Sequence, residues 1–200
     1  GHKLATIEFP ALGLLVSGGH TEIVLMRDFG AYELLGETRD DAVGEAFDKV
    51  ARMLGLPYPG GPEISQLAQH GHKGVYPLPR PMLHSKDYAF SFAGLKTAVL
   101  YLVKGLGELT DVQKADIAHE FQEAAIEVLT AKTMRACEEF NAKTIILGGG
   151  VSANTLLRER LFELTEAAGV ALHLPTKGLS TDNALMIAIS GFFGKPIANP

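Results

Sequence analysis

The sequence predicts an α/β fold built on a mixed β-sheet. A short apolar run at 11–16, a Ser-Gly-Gly-His turn and a second apolar run at 21–27 predict a β-hairpin, and 32–37 is typical of a third strand. The apolar spacing then becomes helical at 41–54. Helices and strands alternate across 111–168, so the hairpin leads into the αβα pattern that is typical of a mixed sheet flanked by helices.

The other elements follow from local signals. Asp40 or Asp41 is expected to cap the helix at 41–54, and Gly55 follows its end. Pro62 suits the first turn of a short helix that reaches about His70, and 71–90 is expected to be irregular. The remaining predictions are a helix from Ser91 to Val103 after a short strand, a helix at 111–141 capped by Thr110 or Asp111, a strand at 143–147, a helix at 154–168, a strand at 171–174 and a helix at 182–191.

Composition narrows the classes of protein. The 200 residues suffice for one large domain or two small lobes, and a net charge of −5 argues against a stand-alone nucleic-acid binder. No apolar run reaches the roughly 18 residues that span a bilayer. The one cysteine, Cys137, predicts a reducing, cytoplasmic setting. Gly1-His2 stands where an initiator Met is expected, so the chain is interpreted as cut from a longer one or as carrying a cloning remnant.

Two glycine-rich turns are candidate anion sites. In Ser17-Gly18-Gly19-His20-Thr21, converging backbone N–H groups and two hydroxyls suit phosphate or carboxylate oxygens, although a plain hairpin turn would explain the same residues. Gly148-Gly149-Gly150 ends a strand and leads into a helix, which is typical of nucleotide sites. The alternative is a tight strand–helix turn with Asn154 as its cap. Neither turn matches a Walker loop or a dinucleotide fingerprint.

An acidic run gives a further candidate site. Asp41, Glu45 and Asp48 fall on one face of the predicted helix, where three like charges repel. A metal, sugar hydroxyls or plain solvent would each explain the run, and the neighbouring loop at 58–62 favours a site.

Two further motifs leave alternatives open. Asp182 at a helix start is either a cap, a metal ligand or a ribose contact. Phe90 and Phe92 around Ser91, with Lys96 nearby, would stack on a nucleic acid or pack in the core, and the core is favoured.

Taken in order along the chain, these motifs resemble those of the TsaD/Gcp family, the tRNA N6-adenosine threonylcarbamoyltransferases. The resemblance implies an actin-like, sugar-kinase-like ATPase fold of two α/β lobes. It also implies transfer of a threonylcarbamoyl group from its adenylate to N6 of adenosine 37 in tRNA. The motifs that carry the resemblance are Ser17-Gly18-Gly19-His20-Thr21, Asp40-Asp41-Ala42 with Gly44-Glu45-Ala46-Phe47-Asp48-Lys49, Tyr58-Pro59-Gly60-Gly61-Pro62, Phe90-Ser91-Phe92 with Gly94-Leu95-Lys96-Thr97, Gly149-Gly150-Val151-Ser152-Ala153-Asn154 and Thr181-Asp182-Asn183-Ala184.

The resemblance also implies residue roles. Asp182 would bind one catalytic metal, iron or zinc, and His2 stands where the second histidine of the family's metal pair falls. Ser65 stands where some relatives carry a substrate-binding Asp. The residues implied to hold the nucleotide or adenylate are Leu15, Val16, Ser17, Gly18, Gly19, Asp48, Gly61 and Asn154.

The same comparison implies an incomplete first lobe. Residues 1–40 are expected to hold a remnant of it together with the hairpin that starts the second lobe, and 41–200 to form the second α/β lobe with a helical insert. At least one metal histidine is missing from this chain, so it is expected to be inactive alone. The implied partners are ANN-decoding tRNA, a paralogous subunit and a small ATPase.

Two alternative functions remain open at this point. A carbohydrate kinase of the same superfamily would need a catalytic aspartate, and Asp40, Asp41 and Asp48 are candidates. A non-catalytic dimer-partner paralogue is the second alternative, although the presence of Asp182 argues against it.

Overall fold

A computed structural model of the chain describes residues 7–176 and 184–193. Its strands are β1 (Ala11–Val16), β2 (Thr21–Asp28), β3 (Ala31–Glu37), β4 (Thr144–Gly148) and β5 (Ala171–His173). Its helices are α1 (Val43–Met53), α2 (Gly60–Ala68), α3 (Ala93–Leu106), α4 (Asp111–Glu139), α5 (Thr155–Ala168) and α6 (Ala184–Phe193), and a 3₁₀ turn spans Gly150–Ala153. None of the described helices is both long and apolar enough to cross a membrane.

The five strands form one mixed sheet in the order β3-β2-β1-β4-β5. β2 runs antiparallel to both β1 and β3, whereas β4 is parallel to β1 and β5 is parallel to β4. β1, β3, β4 and β5 therefore all end at the same edge of the sheet. The predicted mixed sheet is confirmed, and strands from both sides of residue 40 contribute to it; the proposed lobe boundary at that residue stays a prediction.

One face of the sheet carries the core. Leu12 and Leu14 on β1 pair in register with Leu25 and Ile23 on β2, and all four side chains are fully buried. Alternation along a strand sends every second side chain to the same face, so these residues lie together beneath the helices. Leu15 has the opposite orientation and is 39% exposed. The face bearing Leu15 is thus the more open side of β1.

Helices α1 and α4 meet over the core. The rings of Phe47 and Phe121 contact each other edge to face, with centroids 4.9 Å apart. α4 begins with a capping box, in which the Thr110 side chain accepts from the backbone N–H of Gln113 and the Gln113 side chain accepts in return. That reciprocal pair satisfies orphan donors at the start of the helix. It confirms Thr110 as the cap.

The irregular segment before α3 is fixed by a buried lysine. The fully buried Lys132 ammonium donates to the Ser85 hydroxyl at 2.8 Å and to the Ala89 carbonyl at 2.7 Å. Burial lowers the pKa of Lys132, because the charged form loses water. Phe90 and Phe92 are fully buried and stacked at 6.2 Å, so the core interpretation of this aromatic pair is confirmed.

Several predicted boundaries were wrong for physical reasons. α1 starts at Val43, and neither Asp40 nor Asp41 caps it; its N-cap is Ala42, which makes no side-chain capping bond. α2 starts at Gly60, two residues before Pro62. The short strand expected before α3 is one isolated bridge between Thr38 and Phe90. No local sequence signal indicated the 3₁₀ turn that separates β4 from α5.

Packing of α2 against α4 depends on Gly71 in the turn that follows α2. A Cβ atom at Gly71 would lie 2.2 Å from the Ala115 carbonyl oxygen on α4. We expect Gly71→Ala to lower the free energy of unfolding by about 2 kcal/mol, because backbone atoms must move apart. Denaturant unfolding followed by circular dichroism measures this change.

The matched control is Gly105→Ala in α3, where an added Cβ meets nothing within 4 Å. This change should raise the free energy of unfolding by about 0.5–1 kcal/mol, since alanine favours the helix. Equal effects at both positions would contradict the proposed close contact between α2 and α4.

Candidate functional site

The two glycine-rich turns lie side by side at the carboxyl edge of the sheet. β1 and β4 are adjacent and parallel, with Leu15 in register with Gly148. Gly149 has φ +87°, and a Cβ there would lie 2.3 Å from the Val16 carbonyl oxygen. Only glycine allows this backbone approach without strain. The carboxyl ends of parallel strands are where α/β sheets bind ligands, so the prediction that both turns border one cleft fits this topology.

The first turn is organised by its own serine. The Ser17 hydroxyl accepts from the backbone N–H groups of Gly19 at 3.2 Å and His20 at 3.0 Å. The Thr21 hydroxyl is buried and accepts from the N–H of Val43 at 2.8 Å. Both hydroxyls expected to face a ligand are therefore engaged within the protein. Ser17 shapes the turn, and Thr21 serves as a cap for α1.

The N-terminus of α1 rests on this turn. The Gly44 N–H donates to the Ser17 carbonyl at 3.1 Å, and a Cβ at Gly44 would lie 2.6 Å from the same oxygen. Together with the bond from Val43 to Thr21, this contact satisfies two of the orphan donors that begin the helix. The positive end of the α1 dipole thereby lies at the Ser17–Gly19 turn, where it favours an anion.

Asp48 joins α1 to α2. Its Oδ1 accepts from the N–H of Gly60 at 2.7 Å, so the carboxylate caps the second helix. A Cβ at Gly60 would lie 2.5 Å from that of Ala51, which explains how closely the helix start approaches α1. At the next residue, Gly61, an added Cβ would meet nothing within 4 Å. Asp48 and Gly61 therefore both lie at the start of α2, and their implied role in holding the substrate stays a prediction.

Asn154 is the cap of α5 and the centre of a polar network. Its Oδ1 accepts from the N–H of Leu157 at 3.0 Å, which confirms the capping alternative. Its Nδ2 donates to the Ser65 hydroxyl and to Gln122 Oε1, both at 2.9 Å. Ser65 in turn donates to the Gly61 carbonyl at 3.0 Å. Asn154 thereby links α2, α4 and α5, which brings Gly61 and the second glycine turn into one network.

Gln122 is a residue that sequence reasoning missed. It lies in the middle of α4, next to the fully buried Phe121, and is 7% exposed. A buried amide needs a partner, and Asn154 supplies it. No sequence signal singles out Gln122, because α4 buries several other polar residues and Gln122 belongs to no motif.

The acidic run at the start of α1 is neutralised internally. Asp41 lies before the helix, not on its face, and pairs with Lys49 at 2.9 Å and Lys96 at 2.7 Å. Glu45 also pairs with Lys49 at 2.8 Å. Burial raises the pKa of the Asp41 carboxyl, but hydrogen bonds from Lys96 and Lys49 outweigh it and leave that pKa below its ordinary value. The expected repulsion among like charges is therefore offset by lysines at Asp41 and Glu45, whereas Asp48 binds a backbone N–H.

Asp40 caps α3 across a long sequence separation. Its Oδ1 accepts from the N–H groups of Phe92 at 2.8 Å and Ala93 at 3.1 Å, while Oδ2 accepts from the Ser91 hydroxyl at 2.6 Å. The carbohydrate-kinase alternative depended on Asp40, Asp41 or Asp48 as a catalytic base. Each of these carboxylates is engaged with donors of the protein itself, so the kinase alternative loses its candidate residues.

Two predicted metal ligands, His2 and Asp182, lie outside the described residues. Within 7–176 and 184–193, no group of three or more His, Cys, Asp and Glu side chains is arranged to hold a metal ion.

The family of the chain follows from a sequence match that includes all of the candidate site residues described above. Residues 1–189 match the TsaD family, described as tRNA N6-adenosine threonylcarbamoyltransferase. The chain belongs to the TsaD family. The tRNA N6-adenosine threonylcarbamoyltransferases of Thermosipho africanus and Ralstonia pickettii are each 51% identical to it, over 183 and 202 residues. These matches cover 92% and 96% of this chain but 55% and 58% of the relatives, so the chain spans little more than half their length.

Solved structures show the same fold at low identity. The HypF of T. kodakarensis superposes with a TM-score of 0.55 and 18% identity, over 75% of this chain and 19% of HypF. A full-length HypF in its phosphate- and nucleotide-bound form gives a TM-score of 0.60 and 14% identity, over 81% of this chain and 30% of HypF. The likeness and the mixed five-stranded sheet confirm the predicted actin-like, sugar-kinase-like fold of this TsaD-family chain.

The Asp41 ion pairs give a pH-dependent prediction. A carboxyl whose pKa is lower in the folded than in the unfolded state stabilises the fold when the pH is above the unfolded-state pKa. This stabilisation is lost as the pH falls through the folded-state pKa. Lys96→Met removes one partner, so the free energy of unfolding at pH 7 should fall by about 1 kcal/mol. The loss should shrink as the pH drops below about 4. The unfolded Asp41 carboxyl then binds a proton, so the lysine partners of the folded carboxylate contribute less to the free energy of unfolding.

The matched control is Lys104→Met, an exposed lysine later in the same helix. Its effect should stay below about 0.5 kcal/mol at every pH. Urea unfolding between pH 3 and pH 7 separates the two variants. Parallel pH profiles would show that the Asp41 pairs contribute nothing specific.

Proposed function

We propose that this protein transfers a threonylcarbamoyl group from threonylcarbamoyl-adenylate to N6 of adenosine 37 in ANN-decoding tRNA, and that the glycine cleft binds the nucleotide part of the adenylate. One observation carries the proposal for the cleft: two glycine turns and the N-termini of α1 and α5 converge at the carboxyl edge of the sheet in a TsaD-family chain. Its relatives are named tRNA N6-adenosine threonylcarbamoyltransferases, and one solved structure of the same fold is a HypF in its phosphate- and nucleotide-bound form.

The cleft suits the phosphate of an adenylate. Helix N-termini offer a positive dipole and backbone N–H groups to an anion. At Gly18, Gly19 and Gly150 an added Cβ would meet nothing within 4 Å, so this side of each turn is open to a ligand. Because Ser17, Thr21, Asp48 and Asn154 hold the turns and helices in place, the cleft is organised before a ligand arrives. Such preorganisation reduces the cost of binding.

The proposed reaction needs little from a protein nucleophile. N6 of the adenosine attacks the carbamoyl carbon, the bond from that carbon to the phosphate oxygen breaks, AMP leaves, and N6 gives up a proton. The adenylate is already activated, so the main task of these residues is to hold the phosphate and orient the carbonyl. The target base lies in a loop, where unstacking costs less than in a duplex.

The proposal includes one divalent metal, iron or zinc, with His2 and Asp182 as its ligands from this chain. Such a metal would polarise the carbamoyl carbonyl.

The proposal also includes a paralogous subunit and a small ATPase as partners. A chain of net charge −5 gains from partners that supply basic surface for tRNA. Because tRNA is the proposed substrate, the proposal places the protein in the cytoplasm.

Nucleotide binding is tested with a glycine pair. Gly18→Ala puts a methyl group into the open side of the first turn, where the phosphate is proposed to lie. We expect ATP affinity, measured by calorimetric titration, to fall about tenfold, with little change in the free energy of unfolding. Gly94→Ala in α3 is the control, because its nearest atom is Pro81 Cγ at 4.0 Å. An ATP affinity equal in both variants and in the parent would overturn the assignment of the cleft.

The reaction itself is tested in the assembled system. Because the family resemblance implies that this chain is inactive alone, the assay uses the full-length protein that contains it. That protein, the adenylate-forming enzyme and the partner subunits are incubated with unmodified tRNA and labelled threonine, and label transferred to tRNA is counted. We expect transfer that requires a divalent metal and that Asn154→Ala reduces by at least about tenfold, since the network around Asn154 joins three helices. Transfer that Asn154→Ala leaves unchanged would contradict the proposed role of the cleft in the reaction.

A further inference from the structure

Arg158 bridges two segments at the carboxyl edge of the sheet. It lies in the first turns of α5 and is half-buried. Its Nε donates to the Ser152 carbonyl at 2.5 Å, and its Nη2 donates to the Pro175 carbonyl at 2.9 Å. Ser152 belongs to the 3₁₀ turn that follows Gly149, whereas Pro175 lies just beyond β5. One guanidinium therefore ties the second glycine turn to the chain that leaves the neighbouring strand.

The partners of Arg158 are main-chain carbonyls. Within the described residues no carboxylate lies in ion-pair distance of Arg158, whereas Arg160 on the same helix pairs with Glu123 at 3.2 Å. A planar guanidinium with donors in a rigid fork fixes the relative position of two acceptors better than a flexible ammonium does. The arrangement is therefore suited to holding two pieces of backbone at a set distance.

The 3₁₀ turn is held from several sides, and Arg158 provides its link to β5. Gly149 packs on the Val16 carbonyl, and the Ser152 N–H donates to the Gly149 carbonyl at 3.0 Å. Asn154 then anchors the exit of the turn through its network. These contacts fix the turn to β1 and to α4. The Ser152 carbonyl bond to Arg158 adds the contact with the segment after β5.

We propose that Arg158 is a positioning residue of the nucleotide cleft, which holds the Gly149–Ala153 turn and the segment after β5 in one arrangement. A phosphate bound at the turn then stabilises both segments. This inference rests on the proposed function, because it assumes that the cleft binds the nucleotide. Arg158 acts through the turn and is not assigned a contact with the ligand.

The test compares two arginines of one helix. Arg158→Met keeps the aliphatic stem and removes both donors, and Arg160→Met removes a surface ion pair only. We expect Arg158→Met to weaken ATP binding by at least about tenfold, because a displaced turn no longer presents its amides correctly. Arg160→Met should bind ATP within about twofold of the parent. Unfolding is measured in parallel, so that affinity refers to folded protein.

Hydrogen exchange separates positioning from simple stabilisation. In the parent, ATP should slow exchange of the amides of the 3₁₀ turn and also that of Thr176. In Arg158→Met this protection should be confined to the turn. A purely structural role would lower overall stability while leaving the pattern of ATP-induced protection as in the parent, and that result would overturn the inference.

The outcomes also separate this inference from the proposed function. If the parent binds no ATP, the proposed cleft fails, and this inference fails with it. If the parent binds ATP and Gly18→Ala weakens binding, but Arg158→Met binds like the parent, the cleft stands and the role of Arg158 is rejected. Should Arg158→Met fail to fold, Arg158→Lys carries the test, with about a threefold loss expected because one ammonium replaces a two-donor fork. Parental affinity in that variant also rejects the inference.

Discussion

The candidate site depends on the backbone contact between Gly149 and Val16. β1 and β4 are parallel neighbours, and a side chain at position 149 would collide with the Val16 carbonyl at the end of β1. Glycine at 149 removes that obstacle and adopts a φ of +87°, which directs the chain into the 3₁₀ turn and then into α5. The position of the α5 N-terminus, and of the Asn154 that caps it, follows from this close approach.

Around that contact, polar side chains act mainly on the backbone of the protein. Ser17 and Thr21 bind amides of the first turn and of α1, while Asp48 caps α2. An amide without a partner in such a crowded place would cost about 1–3 kcal/mol. The protein therefore uses its conspicuous hydroxyls and carboxylates to orient helix starts. Helix dipoles and open glycine positions are then the features left for an anion, and their geometry is set by the fold.

Local patterns predicted much of this arrangement, and contacts between distant residues decided the rest. The hairpin, the glycine turns and the Thr110 cap each follow from spacing within a few residues. Asp40 was misassigned because its partners, Phe92 and Ala93, lie more than fifty residues away. Gln122 and Arg158 carry no motif for a similar reason: each acquires its role from a carbonyl or amide of another element. Capping rules indicate that a carboxylate will bind a helix start, but not which helix.

The charge near the glycine turns differs in sign from the net charge of the chain. Overall the chain is acidic, with a net charge of −5. At the carboxyl edge of the sheet, however, the N-terminal ends of α1 and α5 carry partial positive charge and the Arg158 guanidinium a full one, and Arg158 has carbonyls as its partners there. Screening by salt confines the field of exposed charges to about 8–10 Å, so acidic surface farther from the glycine turns has little effect on the potential there. A small anion would interact mainly with the charges next to the glycine turns, whereas a polyanion such as tRNA would interact with charges over the whole surface. The local positive charge at the glycine turns therefore favours a small anion, and the proposed attraction for tRNA depends on surface beyond these turns.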